Sequence, residues 1–267
     1  MDFANKTVVI TGATGGMGRV LCRRFGRAGA KIALLDLHRE TLDVFARELN
    51  QTGIQTLALP CDVTNEPACE SAIQHIIATF GGIDALINNA GITQRSAFEK
   101  TQIGVFRKVM EVNFFGALHC TKAALPELIK NQGRIIVMSS IAGFSPLYGR
   151  SGYSASKYAL HGLFESLRAE LKAKDVRVLM VCPGFTATDI EKNALGGDGR
   201  PTTHPRSTTG KIAVPEEVAE AIYRAALRNK RLLVLSTVGK LAYFVSRFFP
   251  AYYERVMTKR LRQELER

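Results

Sequence analysis

Nowhere among its five cysteines (Cys22, Cys61, Cys69, Cys120 and Cys182) does the chain carry a C-x-x-C pair. Their odd number and wide dispersal argue against a disulfide framework or a zinc site, so they read as buried thiols and no metal is expected. The opening Met1-Asp2-Phe3-Ala4-Asn5 lacks the basic, apolar, then small-residue order of a secretory signal, which gives a cytoplasmic protein as the expectation. Internal repeats, low-complexity tracts and interdomain linkers are missing as well, leaving a single folding unit. Negative charge is scarce: 24 Asp and Glu face 36 Lys and Arg, a formal net charge of +12. What is present is apolar residue in quantity, 46% of 267 residues, enough for one large core.

Strand-like runs at Val8 to Ile10, Ile32 to Leu35, Thr56 to Leu59, Ala85 to Ile87, Arg134 to Met138, Val176 to Val181 and Leu232 to Leu235 alternate with helical stretches. That alternation predicts an α/β fold, a parallel sheet with helices on both faces. The first strand runs into Thr11-Gly12-Ala13-Thr14-Gly15-Gly16-Met17-Gly18, and a periodic helix follows through Val20, Leu21 and Phe25. Glycines at such a junction let the backbone turn tightly and approach a pyrophosphate, whose charge the helix N-terminus meets. The second strand ends in Asp36, 18 residues beyond Gly18. A doubly wound fold places an acidic side chain there to accept hydrogen bonds from the adenosine ribose. Such a carboxylate repels the extra phosphate of NADP, and neither Gly15 nor Leu37 offers a compensating cation, although His38 and Arg39 lie close by in sequence.

Tyr153 and Lys157 are four residues apart, a spacing that puts both on one helix face. A free phenol, with a pKa of ~10, is a poor general base at neutral pH. A nearby ammonium favours the phenolate and makes the tyrosine a usable proton shuttle.

Thr11-Gly12-x-x-x-Gly16-x-Gly18, Asn88-Asn89-Ala90-Gly91, Ser140, Tyr153-x-x-x-Lys157 and Pro183-Gly184 occur in the order and spacing of the classical short-chain dehydrogenase/reductase family, which the chain resembles from about Lys6 to about Leu235. The resemblance implies a single-domain Rossmann-like fold that transfers hydride between a nicotinamide cofactor and an alcohol or ketone. Asp36 makes NAD the preferred form of that cofactor, with NADP as the alternative. By the same resemblance Tyr153 exchanges the proton with the substrate oxygen, and Lys157 tunes the phenol and holds the nicotinamide ribose. Ser140, with Ser139 as its neighbour and rival, orients the substrate oxygen, and Asn113 interrupts a long helix to hold a water in a proton relay. The implied cofactor contacts are Gly12, Thr14, Gly16, Met17, Gly18, Asp36, Asp62, Val63, Asn89, Ala90, Gly91, Tyr153, Lys157, Pro183, Gly184, Thr186 and Thr188. Asp62 reads equally as turn chemistry and Thr188 as a helix N-cap. His119 and His161 lie in helical stretches and carry no implied role.

The substrate pocket expected from this fold draws on Ser140, Phe144, Leu147, Tyr153 and Phe185, with Ile92, Gln94, Arg95, Pro146 and Tyr148 nearby, beneath a mobile lid at about 189–211. A lining this apolar favours a lipophilic alcohol or ketone. Catalytic-domain residues 1–235 are followed by a basic extension, 236–267. Residues 200–267 hold 14 Lys or Arg against 6 Glu. In the extension Leu241, Phe244, Val245 and Phe248 fall at i, i+3, i+4 and i+7, one apolar helix face. Lys240 and Arg247 interrupt the run well short of the roughly 20 residues that span a bilayer. The extension therefore reads either as a cap over the pocket or a partner subunit, or as an amphipathic tail on an anionic membrane. Family resemblance implies a homodimer or homotetramer. The competing reading, a non-catalytic nucleotide-sensing or nucleic-acid-binding module, draws on the positive charge. Against it stand the complete set Asn113, Ser140, Tyr153 and Lys157 and the lack of interleaved aromatic and basic residues, so no nucleic acid partner is expected.

Overall fold

The computed structural model describes residues 2–188, 190, 193–202 and 212–265. Its strands, β1 (Thr7–Thr11), β2 (Lys31–Asp36), β3 (Thr56–Pro60), β4 (Ala85–Asn88), β5 (Arg134–Met138), β6 (Arg177–Cys182) and β7 (Leu232–Val234), form one parallel sheet in the order β3-β2-β1-β4-β5-β6-β7. The described helices are α1 (Gly16–Gly26), α2 (Arg39–Gln51), α3 (Glu66–Phe80), α4 (Ile103–Met110), α5 (Gly116–Lys130), α6 (Ser151–Glu170), α7 (Pro215–Leu227), α8 (Thr237–Phe248) and α9 (Pro250–Leu265). A π-helical turn, Glu111–Phe115, joins α4 to α5.

The sheet is doubly wound because its strands are apolar on both sides. Val8 and Ile10 of β1 face one core, with Leu21 and Phe25 of α1, Phe45 of α2 and Ile222 of α7. Val9, between them, faces the other core, with Ile73 of α3, Cys120 of α5 and Phe164 of α6. Period-two alternation with apolar residues at both phases is what a strand buried on both faces requires. The strand order reverses between β1 and β4, and a crevice at such a point, beyond the carboxyl ends of the strands, is where an open α/β sheet binds ligands.

Two close approaches shape that crevice. Gly12 has φ +62°, a left-handed conformation that favours glycine, and a methyl group there would meet Ala90 Cα at 2.9 Å. A methyl group on Gly18 would overlap the Gly12 carbonyl oxygen, so the start of α1 packs directly on the turn that precedes it.

Phe164 has no exposed surface. Phe164→Ala should cost about 3–5 kcal/mol, read as a lower urea midpoint. A loss below about 1 kcal/mol would contradict its place in the core.

Candidate active site

The turn after β1 is held from both sides. Thr14 donates its backbone N–H (2.8 Å) and its hydroxyl (2.6 Å) to Asp36 Oδ2, locking the glycine turn to the end of β2. Asp36 Oδ1 accepts from the Leu37 N–H at 2.8 Å. On the other side Thr11 Oγ1 accepts from the backbone N–H groups of Asn89 and Ala90, each at 3.0 Å. The Asn89 amide donates back to the carbonyls of Thr11 and Gly12. α1 begins with Gly15 at its N-cap, a residue with no side chain to occupy the first N–H groups. Gly15, Gly16 and Met17 line the crevice, and N–H groups at a helix start suit an anion.

Lys157 lies on α6, buried, with Nζ donating to the Met138 carbonyl at 2.8 Å at the end of β5. Burial lowers its pKa from the ordinary lysine range to about 8. Nζ stands 5.7 Å from the ring centre of Tyr153, one turn earlier on the helix. Ser140 follows β5 and caps the short turn Ile141–Gly143, its hydroxyl accepting from the Ala142 N–H at 3.1 Å. Ser139 is buried and Ser140 half-buried, although both reach the same cavity.

Asn113 sits in the π-turn, and its amide is spent on the chain beside it. Oδ1 accepts from the Ile92 N–H (2.8 Å), while Nδ2 donates to the Ile92 carbonyl and to Ser156 Oγ, both at 2.9 Å. A methyl group on Gly91 would lie 3.1 Å from Asn113 Oδ1 and 3.5 Å from Lys157 Nζ. Asn113 thus stands directly behind Gly91 and fixes the strand-end segment against the lysine.

These parts surround a cavity of about 850 Å³, a size at which cofactor and ligand pockets occur. Gly12, Thr14, Gly16, Met17, Asp36, Asp62, Val63 and Asn89 to Gly91 line one end. Ser140, Tyr153, Lys157, Pro183, Gly184, Phe185, Thr186 and Thr188 line the middle, with Ile92 and Leu147 beside them. Gly18 and Asn113 are not lining residues and act from behind the wall. Asp62 Oδ1 accepts from the N–H and hydroxyl of Thr64, so turn chemistry is present there. Thr188 packs against Gly16, where a methyl group would meet its Cβ at 2.9 Å. Asp189, which would follow Thr188 if that residue capped a helix, lies outside the described residues.

The far end of the cavity differs from the sequence reading. Phe144, expected in the substrate pocket, does not line the cavity; it packs edge-to-face on Tyr243 of α8, ring centres 4.9 Å apart. Its neighbours hold the same extension. Ser145 Oγ lies 3.1 Å from the Ala242 carbonyl and 2.8 Å from Ser246 Oγ. The Tyr148 N–H donates to Met257 Sδ at 3.0 Å, and the Tyr253 hydroxyl to the Pro146 carbonyl at 3.1 Å. Burial pushes the Tyr253 phenol up to about 12. The lining in this region comes instead mostly from apolar residues, Val238, Leu241 and Val245 of α8 and Tyr252, Val256 and Met257 of α9, together with the charged Arg260. A second stripe, Val238, Leu241, Ala242 and Val245, also runs i, i+3, i+4, i+7 and was the available signal.

Gln94 and Arg95 are buried away from the cavity lining, and the Gln94 amide donates to the Ser96 carbonyl. Of the expected lid, 190 and 193–202 are described, and the latter stretch is tied down: the Leu195 N–H donates to the Thr93 carbonyl and the Arg95 N–H to the Leu195 carbonyl. Residues 189, 191–192 and 203–211 lie outside the described residues. The cysteines are free and buried, as read. His119 meets the Val63 carbonyl and His161 meets Glu165, structural contacts in both cases.

Fold and site together define a doubly wound α/β protein with a tyrosine–lysine pair at the carboxyl edge of its sheet. The family model for short chain dehydrogenase matches residues 6–197. Dehydrogenase/reductase SDR family member 7B of Bos taurus is 39% identical over 269 residues, covering 97% of this chain and 82% of that protein. The Dehydrogenase/reductase SDR family protein 7-like of Drosophila melanogaster is 36% identical, covering 97% and 81%. Among solved structures, a short chain dehydrogenase/reductase from Burkholderia phymatum in complex with NAD superposes with a TM-score of 0.84 at 22% identity, over 94% of this chain and 96% of that one. A short-chain dehydrogenase from Streptomyces avermitilis gives 0.81 at 26% identity, over 97% and 98%. The chain belongs to the short-chain dehydrogenase/reductase family, a family of oxidoreductases.

Lys157 makes stability depend on pH. Its folded pKa lies below the unfolded value, so between about pH 8 and pH 10.5 the unfolded chain binds more protons and stability rises with pH. Urea unfolding without nucleotide should show the wild type gaining about 3 kcal/mol on Lys157→Met across that window. A constant gap would contradict the buried, neutral-preferring lysine.

Proposed function

We propose that this protein is an NAD-dependent oxidoreductase that interconverts a lipophilic secondary alcohol and its ketone. One observation carries the reading: Tyr153 and buried Lys157 open into the same cavity as the uncapped start of α1 and Asp36. The residues present fit a dinucleotide. Gly12 and Gly18 bring backbone close together, the first N–H groups of α1 suit a pyrophosphate, and Asp36, which lines the same cavity, is the acceptor proposed for ribose hydroxyls. When bound, the nicotinamide supplies the hydride acceptor or donor.

Everything else falls to the protein. Tyr153 passes a proton to the substrate oxygen in reduction and takes it in oxidation, meeting alkoxide charge as it develops. Ser140 orients that oxygen. Lys157 gives up its own proton near pH 8, which suits a group that resupplies the phenol. Asn113 positions Gly91 and Ile92 against the lysine, and holding a water of the proton relay is its further proposed role. Asp62, Val63, Asn89 and Thr186 to Thr188 complete the proposed cofactor contacts.

Preference for NAD over NADP rests on Asp36, whose charge opposes a ribose phosphate. Arg39, close by in sequence, lies 3.9 Å from Asp43. The apolar lining from α8 and α9 supports a lipophilic substrate. This reading extends to homodimers or homotetramers, for which Phe115 and Tyr158 offer exposed apolar surface.

Tyr153→Phe should lower kcat about 10²- to 10⁴-fold on secondary alcohols, sterols or long-chain hydroxy compounds, followed as NADH formation, while NAD still binds in titration. Turnover that survives the substitution would contradict the assignment. Asp36→Ala should narrow the preference for NAD over NADP, and an unchanged kcat/KM ratio would remove Asp36 as the selector.

A further inference from the structure

Where the cavity meets the surface of α8 and α9, its apolar lining is left exposed among the described residues. Val238, Leu241, Tyr252 and Val256 line the cavity and are also exposed. Phe244, Phe248 and Phe249 carry the surface outward, with the Phe244 ring 4.7 Å from Phe248 and 6.3 Å from Phe249. Leu241, Phe244, Phe248, Phe249 and Tyr252 are 53–66% exposed. Large apolar side chains gathered at this exposure, rimmed by charge, mark an interaction site.

Charge decides the occupant. Across α8 and α9 up to Arg262, Lys240, Arg247, Arg255, Lys259, Arg260 and Arg262 stand against Glu254 alone, and all six cations are exposed. A second copy on the same face would bring two strongly positive surfaces together. An anionic bilayer meets both features, with lipid phosphates and carboxylates for the cations and the acyl boundary for the aromatics. The helices, 12 and 16 residues long, meet at Pro250. No helix of the described residues is long and apolar enough to cross a membrane, so the pair would lie in the surface plane.

We propose that α8 and α9 dock the protein on an anionic lipid surface with the cavity mouth turned toward the bilayer, so that an apolar ligand can pass between bilayer and cavity without crossing water. What passes through the mouth rests on the proposed reaction. The docking does not, and its test involves no turnover.

The full chain would be floated with phosphatidylcholine vesicles and with vesicles containing about 30% phosphatidylserine, a strongly anionic surface. Wild type should bind the anionic vesicles, bind zwitterionic ones far less, and release as salt rises. Phe248→Ser with Phe249→Ser should weaken binding at least ~10-fold, and Lys240→Gln with Lys259→Gln ~30-fold. Both pairs are exposed, so melting temperatures should stay at the wild-type value; if one variant fails to fold, the other gives the same reading. No binding by wild type, or binding indifferent to both pairs, would overturn the proposal. A wild-type dimer that the phenylalanine pair dissociates, with no vesicle binding, would overturn it in favour of an interface between copies.

Discussion

The hydrogen bond from buried Lys157 to the Met138 carbonyl is the contact on which the site depends. It brings an ammonium into the interior, where burial makes it shed its proton near pH 8. It also fixes α6 against the end of β5, and with α6 the position of Tyr153. Around that ammonium the other parts leave no slack: Asn113 clamps both backbone groups of Ile92, and Gly91 leaves no room for a side chain between them. A lysine that can change charge at a working pH, one turn from a phenol, is the arrangement that proton exchange with a substrate oxygen calls for.

The cavity joins two halves of different origin. The sheet's switch point builds the polar half, where Thr11, Thr14, Asp36 and Asn89 bond one another across the ends of β1, β2 and β4. The apolar half comes from chain that follows the last strand. α8 and α9 are held over the site by Ser145, Tyr148 and Tyr253 and contribute the walls a lipophilic ligand would touch. Their outer surface exposes Phe244, Phe248 and Phe249 among the cations, so the extension is both a wall of the cavity and the surface proposed to dock.

All seven strands were legible in the sequence because each is a short apolar run bounded by turn residues, and the two cores follow from apolar residues at both phases of those runs. The glycine turn, Asp36 and the tyrosine–lysine pair were legible because their chemistry depends on short sequence spacings. The break in the long helix at Asn113 appears as the π-turn. What stayed hidden depends on contacts distant in sequence. Phe144 looked like a pocket residue because the loop after Ser140 runs beside the cavity, but Tyr243, 99 positions later, covers it. The stripe Leu241, Phe244, Val245, Phe248 was visible, yet a second stripe beginning at Val238 overlaps it. Periodicity alone cannot tell which of two apolar faces meets the cavity. The bonds that occupy Asp36 and Asn113 were likewise invisible, since donor and acceptor come from separate elements.

A crystal structure of the protein grown with NAD tests the account most directly. It should show the adenosine ribose at Asp36, the pyrophosphate at the start of α1, and the nicotinamide end at Lys157 and Tyr153. A dinucleotide lying elsewhere, or running in the opposite direction, would contradict the claim that the tyrosine–lysine pair and the glycine turn serve one site.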